Sequence, residues 1–67
     1  MLTNEQTAIL DYLADGNRRS AVEISSWCGI PRLRACVILS DLVSLGYLAV
    51  GTHKVLGRGT AIDYRIK

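Results

Sequence analysis

The sequence predicts an α+β domain in which three helices are followed by a C-terminal β-hairpin. Three observations carry that expectation. Two capping-box patterns, Thr3-Asn4-Glu5-Gln6 and Ser20-Ala21-Val22-Glu23, each stand just before apolar residues at helical spacing. A third apolar stripe, Ala35, Ile38, Leu39 and Leu42, repeats at i, i+3, i+4 and i+7 after Pro31. Beyond Gly46 the pattern changes to alternation, the spacing of a strand.

Taken in order, the first helix should run from about Asn4 to Ala14, with Ile9, Leu10 and Leu13 turned inward and Gly16 stopping it. The second opens on Ser20 and places Ala21, Ile24, Trp27 and Cys28 on one face, so Trp27 is expected as a core anchor, with stacking on a base as the alternative. Gly29 ends it, and Pro31 suits the first position of the third helix, which Gly46 closes just past Leu45. Leu48-Ala49-Val50 reads as a strand. In the last segment Ile62, Tyr64 and Ile66 alternate with Ala61, Asp63, Arg65 and Lys67. Gly51, Gly57 and Gly59 lie between, with Leu56-Gly57-Arg58-Gly59 as the hairpin tip.

The 67 residues suffice for one small domain, residues 1–67, and such domains are marginally stable because they bury little surface. Apolar residues make up 49% of the chain, which excludes disorder, and Phe is absent, so Ile, Leu and Val must fill the core. Cys28 and Cys36 lack metal-ligand spacing and are expected to be reduced, packed thiols. No signal-peptide pattern and no bilayer-length apolar run is seen, so a cytoplasmic protein is expected, with no membrane partner.

The net charge of +2 is unevenly spread. Residues 1–31 set Glu5, Asp11, Asp15 and Glu23 against Arg18 and Arg19, whereas residues 51–67 set Lys54, Arg58, Arg65 and Lys67 against Asp63 alone. Basic charge thus collects in the C-terminal half, as it does where one face meets a polyanion.

Counted from Ala21, the helix-turn-helix pattern wants apolar residues at Ile24, Cys28, Ile30, Ala35 and Ile38, a small residue at Ser25 and glycine at Gly29. All are present, with Ser25 standing where alanine is usual. With the glycine-tipped hairpin behind it, the chain resembles the winged helix-turn-helix superfamily over essentially its whole length. The ending Val55-Leu56-Gly57-Arg58-Gly59-Thr60-Ala61-Ile62-Asp63-Tyr64-Arg65-Ile66 further resembles the small fimbrial-operon regulators of the FaeA and PapI type. Small phage and plasmid regulators share this outline. The resemblance implies a transcriptional regulator whose partner is double-stranded DNA, acting beside a larger global regulator such as the leucine-responsive regulatory protein. A homodimer on repeated half-sites is the other assembly expected of so small a reader.

Catalysis is not expected. His53 is the only histidine and has no nucleophile context, and the glycine-arginine-glycine stretch lacks the lysine and hydroxyl of a phosphate loop. Asp11 and Asp15 lie one helical turn apart, the spacing of a solvated face rather than of an acid pair in a pocket. No cofactor, metal or small-molecule ligand is implied.

The candidate site lies on the third helix, whose N-terminal half meets base edges in a helix-turn-helix. With the core stripe fixed, Leu33, Val37, Ser40 and Ser44 point outward, Arg34 and Asp41 lie on one flank, and Arg32 and Cys36 on the other. Arg34 is the first choice for a base or phosphate contact, Arg32 for phosphate, and Ser40 for hydrogen bonding. Lys54 and Arg58 extend the surface onto the hairpin, where Arg58 is expected to reach the minor groove or neighbouring phosphates. Arg18 and Arg19 precede the second helix and add a phosphate contact at its start. Leu33 and Val37 fit thymine methyl groups but offer no hydrogen bond, so the same pair also fits a protein partner. A winged-helix interaction module bound to a larger regulator is therefore the alternative. A subunit whose third helix is an oligomer interface is a third.

Overall fold

The structure is a computed structural model and describes residues 2–57 and 59–67. Helix α1 spans Asn4–Tyr12, strand β1 Arg19–Ser20, helix α2 Ala21–Cys28 and helix α3 Arg32–Ser44. Strands β2, Leu48–Val55, and β3, Gly59–Ile66, complete the chain. All three strands form one antiparallel sheet in the order β1-β3-β2, so β3 is central. This is the winged-helix arrangement, an α+β fold of three helices with a hairpin wing.

Each helix begins and ends for local reasons. The Gln6 backbone N–H donates to Thr3 Oγ1 at 3.1 Å, and the Thr3 N–H donates to Gln6 Oε1 at 2.8 Å. Ser20 and Glu23 repeat this reciprocal cap on α2. Gly29 ends α2 in the left-handed region, and the Ile30 N–H returns to the Ser25 carbonyl at 3.1 Å. At the end of α3 the Tyr47 N–H bonds the Leu42 carbonyl and the Gly46 N–H that of Val43, a Schellman closure. Helix α1 is two residues shorter than the periodicity predicts, because bonds from Ala14 to Asp11 and from Gly16 to Leu13 tighten its last turn. Pro31 caps α3 rather than opening it, a one-residue difference.

The core consists of Ile9 and Leu13 from α1, Ile24 from α2 and Ile30 from the turn. Ala35, Ile38, Leu39 and Leu42 join from α3, and Leu48 from β2. Every residue expected in the α3 stripe is buried. Trp27 is not, and this corrects the expected core anchor: it is 73% exposed. Ile24 and Cys28 occupy the inward side of this short helix. Trp27 projects to one side and stacks on Tyr12 of α1, ring centres 5.1 Å apart.

The sheet adds two features beyond the expected hairpin. The two-residue β1 pairs Arg19 with Tyr64 and Ser20 with Asp63, tying the start of α2 to the sheet. Strand β2 continues past Val50 through Gly51 to Val55, so the wing is eight residues long on each side. Leu48 pairs with Ile66 and Val50 with Tyr64 over the helical body. Beyond them the hairpin overhangs that body, and Ile62 and Leu56 are exposed.

Candidate nucleic-acid interface

Helix α3 is buried along one side and open along the other. Leu33 is 85% exposed and Val37 61%, while Arg32, Arg34, Cys36 and Ser40 are also exposed. A single amphipathic helix thus anchors itself through Ala35, Ile38, Leu39 and Leu42 and presents a mixed apolar and polar surface outward.

Beside this surface lies a groove of about 370 Å³ between α3 and the wing. Ser20, Ala21 and Val22 form one wall, Arg32 and Cys36 a second, and Thr60, Ala61, Ile62 and Tyr64 the third. The start of α2, the start of α3 and the overhanging part of β3 therefore meet around Arg32. The contribution of Thr60, Ile62 and Tyr64 was not foreseen in the sequence. Their alternation signals a strand, but only the pairing with β1 and β2 reveals which strand faces end up over α3. Burial raises the Tyr64 hydroxyl above its ordinary range, with a smaller contribution from Cys36.

The basic residues fall into two groups. Among the described residues, Arg18, Arg32 and Lys54 pair with no carboxylate. Arg34 instead reaches back to α1, its Nη2 2.7 Å and its Nε 2.9 Å from Glu5 Oε1. That contact remains largely solvated, so it is weak and exchangeable. Arg19 is turned toward α1. Its guanidinium donates to Asp15 at 2.6 Å and lies 4.4 Å from the Tyr12 ring centre. The Asn17 backbone N–H, followed by Arg19, holds the Asp15 carboxyl below its ordinary range. The structure therefore gathers Arg32, Leu33, Val37 and Ser40, keeps Arg34 beside them with a competing partner, and engages Arg19 elsewhere.

On the wing, Lys54 is exposed near the tip, where Val55, Leu56, Gly57, Gly59 and Thr60 frame a shallow hollow. Arg58 lies outside the described residues. His53 does not stand free: its Nδ1 lies 3.1 Å from Asp63 Oδ2. Asp63 is only 6% exposed and sits opposite Gly51, where a Cβ would lie 2.6 Å from its Oδ1. Gly51 is thus the residue that lets a carboxylate lie flat against the sheet.

Among the described residues no group of His, Cys, Asp and Glu has the arrangement to hold a metal ion. No helix there is long and apolar enough to cross a membrane. Cys28 and Cys36 are both free thiols; burial raises that of Cys28 above its ordinary range, whereas Cys36 is exposed rather than packed.

No protein-family model matches the chain, and no curated protein matches it. Its fold is similar to a solved structure from Methanosarcina mazei Go1 described as a "possible transcriptional regulator", with a TM-score of 0.86 and 13% sequence identity. The alignment covers 98% of this chain and 57% of that one, so the chain spans little more than half the length of that protein. At such low identity the likeness is one of fold.

Proposed function

We propose that the protein is a sequence-specific, DNA-binding transcriptional regulator that places α3 in the major groove and its basic wing on the backbone or minor groove. The observation that carries this proposal is the open side of α3. A helix anchored by four buried residues leaves Leu33, Val37, Ser40 and Arg32 uncovered, beside a groove that continues onto the wing. In this fold that surface is the one shaped to enter a duplex. The basic excess of residues 32–67 gives it the sign to do so. The description of the fold neighbour as a possible transcriptional regulator agrees with this role.

Each part of the surface has its own task. Arg32, Lys54, Arg58, Arg18 and Arg19 hold phosphates, Arg34 and Ser40 supply hydrogen bonds to base edges, and Leu33 and Val37 pack on thymine methyls. Arg34 must leave Glu5, and Arg19 must leave Asp15, to take part. Within the regulator class we place the chain nearest the FaeA and PapI type, on its short α1 and glycine-arginine-glycine wing. No cofactor is required, and the regulator acts in the cytoplasm as a homodimer or beside a larger regulator.

The competing role is an interaction module, favoured by the lack of hydrogen-bonding groups on Leu33 and Val37. Fluorescence anisotropy with a library of duplex fragments separates the two. Replacing Leu33 and Val37 together by Ser should change stability by no more than about 0.5 kcal/mol, because both are exposed. It should lower affinity for the best fragment while leaving salt-sensitive, nonspecific binding. Unchanged fragment preference together with loss of a protein partner would establish the interaction module instead.

A further inference from the structure

The outer side of α1 and α2 carries a second surface, and none of its lining residues comes from α3 or the wing. Tyr12 and Trp27 stack nearly parallel, at an interplanar angle of 10°. A hollow of about 510 Å³ lies to one side of the pair, lined by Ala8, Asp11, Tyr12, Asp15, Arg19 and Trp27. Another of about 470 Å³ lies against Tyr12 and Trp27 together with Val22, Glu23 and Ser26. Trp27 therefore stands as an exposed wall shared by two depressions, and Val22 continues the apolar surface.

The charge around this wall is one-sided. Asp11, Asp15 and Glu23 surround the two hollows, and the only cation lining them among the described residues, Arg19, is already matched by Asp15. Among the described residues Asp11 has no ion-pair partner. A base could stack on Trp27, but its phosphate would meet these carboxylates, so the rim selects against nucleic acid. A cationic group has the opposite fit: an aromatic face attracts it, and a carboxylate beside that face receives its N–H groups. The chain already shows this mode internally, with the Arg19 guanidinium against Tyr12 and bonded to Asp15.

We propose that the Tyr12–Trp27 face is a docking surface for an arginine-bearing basic segment of a protein partner. One guanidinium of that segment lies against Trp27 and bonds Asp11, while its apolar neighbours cover Val22. Arginine is favoured over lysine because its planar head stacks on a ring and keeps its in-plane donors free for the carboxylate. Trp27, Tyr12 and Asp11 take no part in the α3 surface, so the inference does not rest on α3 reading DNA, although Val22 borders both surfaces and Arg19 is shared with the proposed phosphate contacts.

Trp27 is the only tryptophan, so its emission reports the surface directly. The experiment titrates the intact chain with a capped Gly-Arg repeat peptide and with matched Gly-Lys and Gly-Glu peptides. The Gly-Arg peptide should change the emission saturably, the Gly-Lys peptide more weakly, and the Gly-Glu peptide not at all. Asp11→Asn should weaken Gly-Arg binding about three- to fivefold, the range of one exposed cation–aromatic or ion-pair contact. Trp27→Ala, followed by calorimetry with its fold checked by circular dichroism, should remove most of the binding. An unchanged emission, or a response equal for Gly-Arg and Gly-Lys and indifferent to Asp11→Asn, would overturn the proposal. So would a change in Trp27 emission with protein concentration alone, which would make a second copy the occupant.

Discussion

The helical body and the wing spend the same kind of residue differently. In the body, apolar side chains converge until Ile9, Leu13, Ile24, Leu39 and Leu42 are fully buried. In the wing, two eight-residue strands bury only Leu48 and Asp63, while Val50, Leu56 and Ile62 remain open. The body holds the fold and the wing is held out from it, paired mainly to itself. The difference teaches that an apolar residue is evidence of structure only where helices converge on it, and of a contact surface in the wing and on the open sides of α2 and α3. Substitutions should follow the same division, with stability lost at the buried positions of the body and binding changed on the open side of α3 and the wing.

The sharpest break of that comparison is Leu39→Ala. Leu39 is fully buried where α3 meets the core, so its truncation should cost about 2–5 kcal/mol and leave the domain largely unfolded. Chemical denaturation measures this directly, and a loss below about 1 kcal/mol would mean that the body is not the stabilising half. The wing buries one carboxylate, that of Asp63, and Gly51→Ala tests its seat. The added methyl would meet the Asp63 carboxylate, which should cost about 1–3 kcal/mol by the same measurement. Asp63→Ala in the same chain should recover part of that loss, because the obstructing oxygen is gone.

Glu5→Gln is smaller and changes binding rather than folding. It releases Arg34 from its α1 partner while leaving the exposed cap intact. Duplex affinity should rise about two- to fivefold at low salt, with stability shifted by less than about 1 kcal/mol. Unchanged affinity would show that Arg34 keeps away from DNA.

The smallest effect should be a decline in stability at alkaline pH. Burial raises the Cys28 thiol and the Tyr64 hydroxyl above their ordinary values of 9.0 and 10.0. The unfolded chain ionises each group first, so their stabilising contribution is complete below these values and falls as pH rises through and beyond them. Thermal melts across this range check the sign, and Cys28→Ala should remove the earlier part of the decline.

What was legible in the sequence was local. Both capping boxes, the Gly29 and Gly46 stops and the α3 stripe depend on residues within a turn or two of each other. What was hidden depends on distant neighbours. Trp27 reads as core because its spacing from Ile24 is helical, but only the position of Tyr12 decides which side of α2 is covered. Glu5 and Arg34 are 29 residues apart, and no pattern in either helix announces their pairing. A two-residue strand such as β1 has no periodicity to detect, and the burial of Asp63 follows from its register with Gly51. The outward positions of Leu33 and Val37 were legible because α3 is long enough for its buried stripe to fix its rotation.

The central claim is that α3 and the wing meet DNA as one basic surface, and its most direct test is duplex affinity measured as a function of salt. About four to six basic contacts should give a log–log slope of roughly −4 to −5. An affinity that stays flat between low and physiological salt would contradict the claim.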